Sequence, residues 1–313
     1  MRAYRYDAFG TPPQILDVPV PAPGAGEVLV RVRYAGLNPV DWKLASGKYR
    51  YLVQGGTPRT MGGDFSGEVA AVGAGVTSLR TGDRVHGFVD PFRRPQGTFA
   101  DFVPVPAKFV SPLPPDIDFR EGAALPCAGV TAVVLCELGA VARGSRVLVN
   151  GASGGVGHLA VQVAKARGAE VTATGSAARR GFVMSLGADA FVDYALTPAD
   201  RWPAGFDTVI DCVPNLPRHS HGRLVARDGR YVSTLPDAGT YLLDPLLNRI
   251  GRLKRYAVML APSAAAYQEL HAYVRTGQLR CEIEAEYPLE QAAAAIERSR
   301  SGRVRGKLVI RVA

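Results

Sequence analysis

The chain has 313 residues, 47% of them hydrophobic and 21% charged, which excludes a disordered polymer and leaves room for two cored domains. No apolar run approaches the roughly 18 residues of a membrane span, and Met1–Asp7 carries no apolar stretch behind its basic residues, so neither a membrane anchor nor a secretory leader is expected. Four scattered cysteines (Cys127, Cys136, Cys212, Cys281) lack metal-type or C-x-x-C spacing and point to a reduced, cytoplasmic setting.

The net charge is +9. Arg298, Arg300, Arg303, Arg305 and Lys307 crowd the tail, and Arg249, Arg252, Lys254 and Arg255 form a second cluster. No aromatic-interleaved basic motif accompanies them, so both read as solvated faces. An anionic cofactor is expected to account for one or two, and nucleic acid is not an expected partner.

Residues 1–121 read as mostly β. Gly26–Tyr34 alternates with period two and is predicted to stop at Gly36; Gly67–Gly73 and Gly82–Val89 are further strands. Prolines crowd 104–115 and mark an irregular crossing. Short strands between Gly/Pro turns predict a small β-barrel-like domain. The pattern changes after Asp118. Phe119–Ala142 reads as helical, broken by Pro126 and Gly129. Val147–Val149 is an apolar run like a buried parallel strand. Asn150–Gly157 is rich in small residues, and Val156, Leu159, Ala160, Val163 and Ala164 then recur at helical spacing. Ala152-Ser153-Gly154-Gly155-Val156-Gly157 fits Gly-x-Gly-x-x-Gly with alanine in the first place. Between a strand and a helix, such a turn aims backbone N–H groups and the positive end of the helix dipole at a phosphate. Strands at Glu170–Thr174, Ala190–Tyr194, Asp207–Val213 and Gly229–Leu235, with a helix at Ala178–Leu186, predict a doubly wound parallel sheet. Ser263–Thr276 and Leu289–Arg300 read as helices, and Gly306–Val312 as a closing strand.

The segment after the glycine turn bears on the choice of cofactor. NAD-specific sites place an acid about 20 residues on, to bind the ribose 2′-OH. No Asp or Glu occurs between Glu170 and Asp189. Ser176 and Arg179, or Arg180 beside it, suit a 2′-phosphate, because a guanidinium donates bidentate bonds. The expected cofactor is NADPH.

Further landmarks are Gly36-Leu-Asn-Pro-Val-Asp-Trp-Lys43, Gly62-Gly-Asp-Phe-Ser-Gly67, Gly82-Asp-Arg-Val85 and Gly97-Thr-Phe-Ala-Asp-Phe-Val103. Ala124-Leu-Pro-Cys-Ala-Gly-Val-Thr-Ala132, Gly187-Ala-Asp189 and Gly302-Arg-Val-Arg-Gly-Lys-Leu-Val309 complete them. With these, nearly the whole chain resembles the zinc-independent quinone oxidoreductase (zeta-crystallin-like) branch of the medium-chain dehydrogenase/reductase superfamily. The resemblance implies an α/β protein. Residues 1–121 would form a GroES-like (chaperonin-10-like) β-barrel domain for substrate and catalysis. Residues 122–258 would form a Rossmann-like NADPH-binding domain, and 259–313 would return to the first, with substrate in the cleft between the domains.

It also implies roles. The substrate loop corresponds to Asn38–Tyr51, with Asn38 and Tyr49 as hydrogen-bond donors and Lys43 as a nearby charge; Thr131 orients the nicotinamide side. Cofactor contacts are expected from Gly151, Ala152, Ser153, Gly154, Gly155, Val156, Gly157, Thr174, Gly175, Ser176, Arg179, Tyr194, Cys212 and Leu235, with Arg303 reaching the 2′-phosphate. Zinc relatives in the superfamily use a Cys, the His of Gly-His-Glu and a later Cys. This chain has Asn38, Gly63-Asp64 and only Cys127 in those places, so no metal is expected. Cys127 reads as a packed residue, Asp41 as a loop support through side chain–backbone bonds, and Asp64 as a turn stabiliser. His219 and His221 read as a surface loop or helix start, and His86 and His158 as packing or surface residues. A homodimer is expected, with Gly229–Tyr256 as the suspected edge. The implied activity is hydride transfer from NADPH to a quinone or α,β-unsaturated carbonyl. The alternatives are an enoyl reductase of a biosynthetic pathway, or a non-catalytic NADPH-binding sensor or RNA-binding zeta-crystallin-like protein.

Overall fold

The computed structural model describes every residue except 214, 235–242 and 259–263. In chain order the strands are β1 (Arg2–Tyr6), β2 (Gln14–Asp17), β3 (Glu27–Leu37), β4 (Arg59–Thr60), β5 (Asp64–Val72), β6 (Arg84–Phe88), β7 (Phe102–Pro106), β8 (Val110–Pro112), β9 (Arg146–Asn150), β10 (Glu170–Gly175), β11 (Ala190–Asp193), β12 (Phe206–Asp211), β13 (Val225–Ser233), β14 (Lys254–Ala257), β15 (Ile283–Pro288) and β16 (Lys307–Arg311). The helices used below are α1 (Pro39–Ala45), α2 (Phe119–Ala124), α3 (Pro126–Leu138) and α4 (Gly157–Ala166).

Two compact units emerge. One is Met1–Cys127 with Pro262–Tyr267 and Cys281–Ala313; the other is Ala128–Ala261 with Gln268–Arg280. The division differs from the sequence expectation at the return: Gln268–Arg280 packs with the second unit. The side chain of Gln162 donates to the Arg280 carbonyl at 3.0 Å and accepts its N–H at 2.9 Å, and Arg167 pairs with Glu269 at 2.8 Å.

The first unit is built on β3, the longest strand. Its N-terminal half pairs with β7 and its C-terminal half with β16, while β5 runs along the other side. The seven-stranded sheet has the order β15-β16-β3-β5-β6-β8, with β7 paired to β3 off this path, and β2-β1-β4 form a smaller sheet. Alternating apolar residues of these strands (Val28, Val30, Val32, Phe65, Val103 and Ile310 among them) fill one core with Ala292, Ala295 and Ile296 from a C-terminal helix. β3 does not stop at Gly36. That glycine stays in the strand because a Cβ there would lie 2.3 Å from the Ala123 carbonyl and 2.9 Å from Asp64 Cβ, so it serves close approach and not termination.

The second unit is a parallel sheet of order β11-β10-β9-β12-β13-β14, the doubly wound arrangement that reverses direction between β9 and β12. Proline divides α2 from α3 as expected, since it cannot continue a helix ladder. Gly129 breaks nothing: α3 runs through it, and a Cβ there would meet Leu270 at 2.7 Å. The fold class is therefore α/β, a doubly wound parallel sheet with a β-barrel-like partner unit.

Candidate active site

Three neighbouring strand ends of the first unit meet in a buried polar cluster. β3 leads into Asn38, the N-cap of α1, with Pro39 as the first helical residue, where its missing N–H is harmless. β5 opens on Asp64, whose backbone pairs with Gly36. β16 opens on Lys307, one residue before the Leu308–Leu37 pair. The Lys307 ammonium donates to Asn38 Oδ1 at 2.6 Å and to the Leu37 carbonyl at 3.3 Å, and lies 3.4 Å from Asp64 Oδ2. Asn38 Nδ2 donates to the same Asp64 oxygen at 2.9 Å, and the Cys127 N–H donates to Asp64 Oδ1 at 2.8 Å. Lys307 can only donate and the carboxylate accepts, so the two partners set which end of the Asn38 amide is oxygen.

Asp41 completes the cluster from the first turn of α1. Its Oδ2 accepts the Asn38 N–H at 2.8 Å, the side chain–backbone bond expected of it, while its buried Oδ1 has no partner. Burial pushes the Asp41 carboxyl up to about 7, against the Asn38 bond and with help from the charge of Asp64. Burial also raises Asp64, opposed by Lys307 and by the Asn38 and Cys127 bonds. Two acids are thus buried in one cluster whose ammonium contacts Asp64 and not Asp41, and desolvation favours leaving one of them protonated.

The remaining loop residues are more open. Lys43, half-buried in the last turn of α1, has its ammonium 5.5 Å from the centre of the Trp42 ring, and burial with the nearby Lys48 charge lowers its pKa. The Tyr49 ring lies 6.0 Å from that of Phe92, at 58°. Thr131 is buried on α3 in the second unit.

Lys307 departs from its sequence reading. It is 2% exposed and paired, not part of a solvated basic face. The tail arginines around it are also engaged: Arg298 pairs with Glu284, Arg300 with Glu297 and Arg305 with Glu282. Asp64 stabilises no turn; it begins a strand and ties three segments. His221 is buried, stacked 3.6 Å from the Tyr231 ring, whereas His219 is exposed. His86 and His158 are both buried, facing the carbonyls of Gly122 and Gly154.

In the second unit, β9, α4 and the turn between them carry the glycine motif. Gly151 has φ +76°, and a Cβ on Gly157 would lie 2.1 Å from the Gly151 carbonyl. Both positions therefore need glycine, one for its conformation and one for close approach. The Gly154 N–H donates back to Gly151, while those of Gly155 and Val156, half-exposed ahead of α4, take no partner among the described residues. The loop is held from below. The Gly151 N–H donates to Thr174 Oγ1 at 3.2 Å, Thr174 Oγ1 donates to Asn150 Oδ1 at 2.7 Å, and Asn150 Nδ2 donates to Asp211 Oδ1 at 2.9 Å. The Tyr231 hydroxyl donates to the other Asp211 oxygen at 2.5 Å. Asn150, Asp211 and Tyr231 were missed as site residues. For Asn150 and Asp211 the available signal was a polar residue at the last position of a strand; Tyr231, inside β13, carried no such signal.

Most of the remaining expected cofactor residues belong to the same unit as this loop. Ala152 is buried with its N–H on the Thr174 carbonyl, and Ser153 is half-exposed. Gly175 ends β10, Ser176 precedes the short 3-10 turn containing Arg179, and Tyr194 is 54% exposed with its N–H on Gly175. Cys212 donates its N–H to the Asn150 carbonyl, and burial pushes its thiol well above the usual range. Arg180 points over the Phe191 ring at 5.8 Å. Arg303 belongs to the first unit, and Leu235 lies outside the described residues.

Residues 24–115 match the family described as "Alcohol dehydrogenase GroES-like domain" and residues 186–310 that described as "Zinc-binding dehydrogenase". The chain is 32% identical over 327 residues to the chloroplast envelope quinone oxidoreductase homolog of Arabidopsis thaliana, covering 99% of this chain and 98% of the relative. The chain belongs to the quinone oxidoreductase (zeta-crystallin-like) branch of the medium-chain dehydrogenase/reductase superfamily. It is an oxidoreductase of that family, with the GroES-like fold in its first unit. Among solved structures of the superfamily, the quinone oxidoreductase of Coxiella burnetii superposes with TM-score 0.92 at 29% identity, covering 100% of this chain and 99% of that one. A mycobacterial protein solved with NADPH superposes with TM-score 0.84 at 26% identity over the full length of both chains. No helix among the described residues is long and apolar enough to cross a membrane.

Proposed function

We propose that this chain is a zinc-independent, NADPH-dependent reductase of quinones or α,β-unsaturated carbonyls. The observation that carries the metal-free part is the Lys307 ammonium. It lies against Asn38 and Asp64, in the segments where zinc relatives carry ligands, and supplies the positive charge there itself. The donor set does not suit the zinc named in one family description: among the described residues no three His, Cys, Asp or Glu converge as ligands.

NADPH fits the second unit. Its phosphates would be held by the Gly151–Gly157 loop and the start of α4, and its 2′-phosphate by Ser176 and Arg179. Asp193, the register neighbour of Gly175 on β11, turns Oδ1 to the Ala195 N–H at 2.9 Å. When bound, the cofactor supplies a hydride to a conjugated acceptor. The protein's task is then to stabilise the negative charge that develops on the acceptor oxygen, and one well-aimed donor is worth about 2.7–4 kcal/mol. Tyr49 supplies a phenol O–H, Lys43 a cationic N–H, and Asn38 an amide with one N–H already committed to Asp64. Tyr49 or water returns the proton to the reduced acceptor. Thr131 orients the nicotinamide side, and Arg303 supplements the phosphate site. The same reading expects a cytoplasmic homodimer; the edge strand β14 and the exposed Leu246 and Ile250 beside it support the pairing.

The test is NADPH oxidation across quinones, enones and alkenals, with NADH as control. NADPH is expected to be preferred. Arg179→Glu places a carboxylate against the 2′-phosphate, worth roughly 4 kcal/mol at 4 Å and an effective dielectric near 20, and should reverse the preference. An unchanged NADPH/NADH ratio in that variant would remove the assignment. Inactivity toward every acceptor, with RNA retained in a salt-dependent manner, would favour the binding alternative.

A further inference from the structure

Arg59 on β4 is among the most buried large side chains of the molecule, at 2% exposure. Its guanidinium is surrounded by backbone carbonyls. Nη1 donates to Gln54 and Gly56, both at 2.9 Å; Nη2 donates to Pro91 at 2.7 Å and to Arg94. None of these acceptors is a carboxylate. The Tyr6 side chain and the charge of Asp90 add to these carbonyls, and burying a guanidinium mainly on carbonyl dipoles is an expensive way to fill space, since an apolar side chain would pack there without desolvation. The four bonds do something packing cannot: they tie two irregular segments, 54–56 and 91–94, to one rigid fork.

The second segment carries Phe92, and the first begins five residues after Tyr49, whose ring is tilted against that of Phe92. The first follows Tyr49 and contains Gly55 and Gly56 at φ +80° and +60°, a backbone with few restraints of its own. The second contains Phe92, whose N–H is held by Asp90 Oδ1 at 2.9 Å and whose carbonyl accepts the Gln54 N–H at 2.7 Å. Tyr49 and Phe92 are both half-exposed, with ring centres 6.0 Å apart. Nothing else in the reaction as proposed uses Phe92 or Arg59.

We infer that Arg59 is a positioning residue and Phe92 a specificity residue: the guanidinium holds the Tyr49–Phe92 ring pair as an aromatic wall that selects planar, ring-bearing acceptors over short open-chain ones. This rests on the oxidoreductase reading above and deepens it by naming the acceptor class. Offset and edge-to-face ring contacts discriminate at the level of about three- to tenfold per contact, and an aliphatic replacement of similar bulk keeps the space but loses the quadrupole.

The experiment compares kcat/KM for 1,4-naphthoquinone and for a short alkenal in the full chain, alongside equilibrium titration of naphthoquinone followed by intrinsic fluorescence. Phe92→Leu is expected to shift the naphthoquinone-to-alkenal ratio about three- to tenfold against the ring, through KM and not kcat. Arg59→Met should shift it in the same direction, Arg59→Lys should restore part of it, and NADPH affinity should be the same in all. If Arg59→Met does not fold, Phe92→Leu decides. An unchanged ratio and unchanged ring affinity in Phe92→Leu overturn the wall. A wild type that binds naphthoquinone through Phe92 but turns over no acceptor keeps the wall and overturns the function. A wild type that binds no ring overturns both.

Discussion

Asp41 and Asp64 are two buried carboxyl groups of one cluster, and their environments differ. Asp64 has Lys307, Asn38 and the Cys127 N–H; Asp41 has one backbone N–H and an unpartnered oxygen. Burial therefore raises Asp41 from 3.8 to about 7. For an acid raised on folding, the native state holds more protons than the unfolded chain between those values. Its stabilising contribution is full below the lower value and fades as pH rises through the upper one. Asp41→Asn keeps an acceptor for the Asn38 N–H and removes the titration. Urea midpoints between pH 5 and 8 should show wild type losing stability relative to the variant as pH rises. Parallel curves for the two proteins would refute the shifted Asp41.

The turn between β9 and α4 shows how much an element's sequence says and where it stops. Its strand, small-residue turn and helical spacing were legible because each is a local pattern. The reason that Gly157 must be glycine is not local: the Gly151 carbonyl occupies the place of a Cβ, 2.1 Å away. Gly157→Ala should therefore push the loop off its bonds to Thr174, since a backbone carbonyl cannot swing aside as a flexible side chain does. An NADPH titration is expected to show affinity falling at least about tenfold, or roughly 1.4 kcal/mol. Unchanged affinity would mean the loop does not hold the phosphates. Gly36 and Gly129 make the complementary point. Read locally they look like breaks, yet both sit inside continuous elements because neighbouring backbone or side chains press on them.

Across the whole molecule, the first unit takes strands from both ends of the chain. β16 slots between β15 and β3, and Arg2 bonds Asp101, Glu290 and the Val312 carbonyl. That closure carries Lys307 into the cluster, and it motivates an expectation for the intact protein: prolonged dialysis against EDTA should leave both turnover and melting temperature unchanged. Loss of either, restored by one equivalent of zinc, would overturn the metal-free reading.

The sequence by itself determined the alternation of strands and helices, the dinucleotide-type turn and the acid-free segment after it, because these depend on residues close in the chain. The family resemblance also put Asn38, Asp41 and Lys43 in one substrate loop, Asn38–Tyr51, since they are close in the chain. Only the tertiary structure decided that Lys307 is the ammonium of that group, that Asp211 and Tyr231 brace the glycine loop, and that Arg59 fastens two segments. Those contacts join residues as much as 270 positions apart. Whether a lysine is solvated or buried depends on what the fold brings opposite it, and no local pattern contains that information.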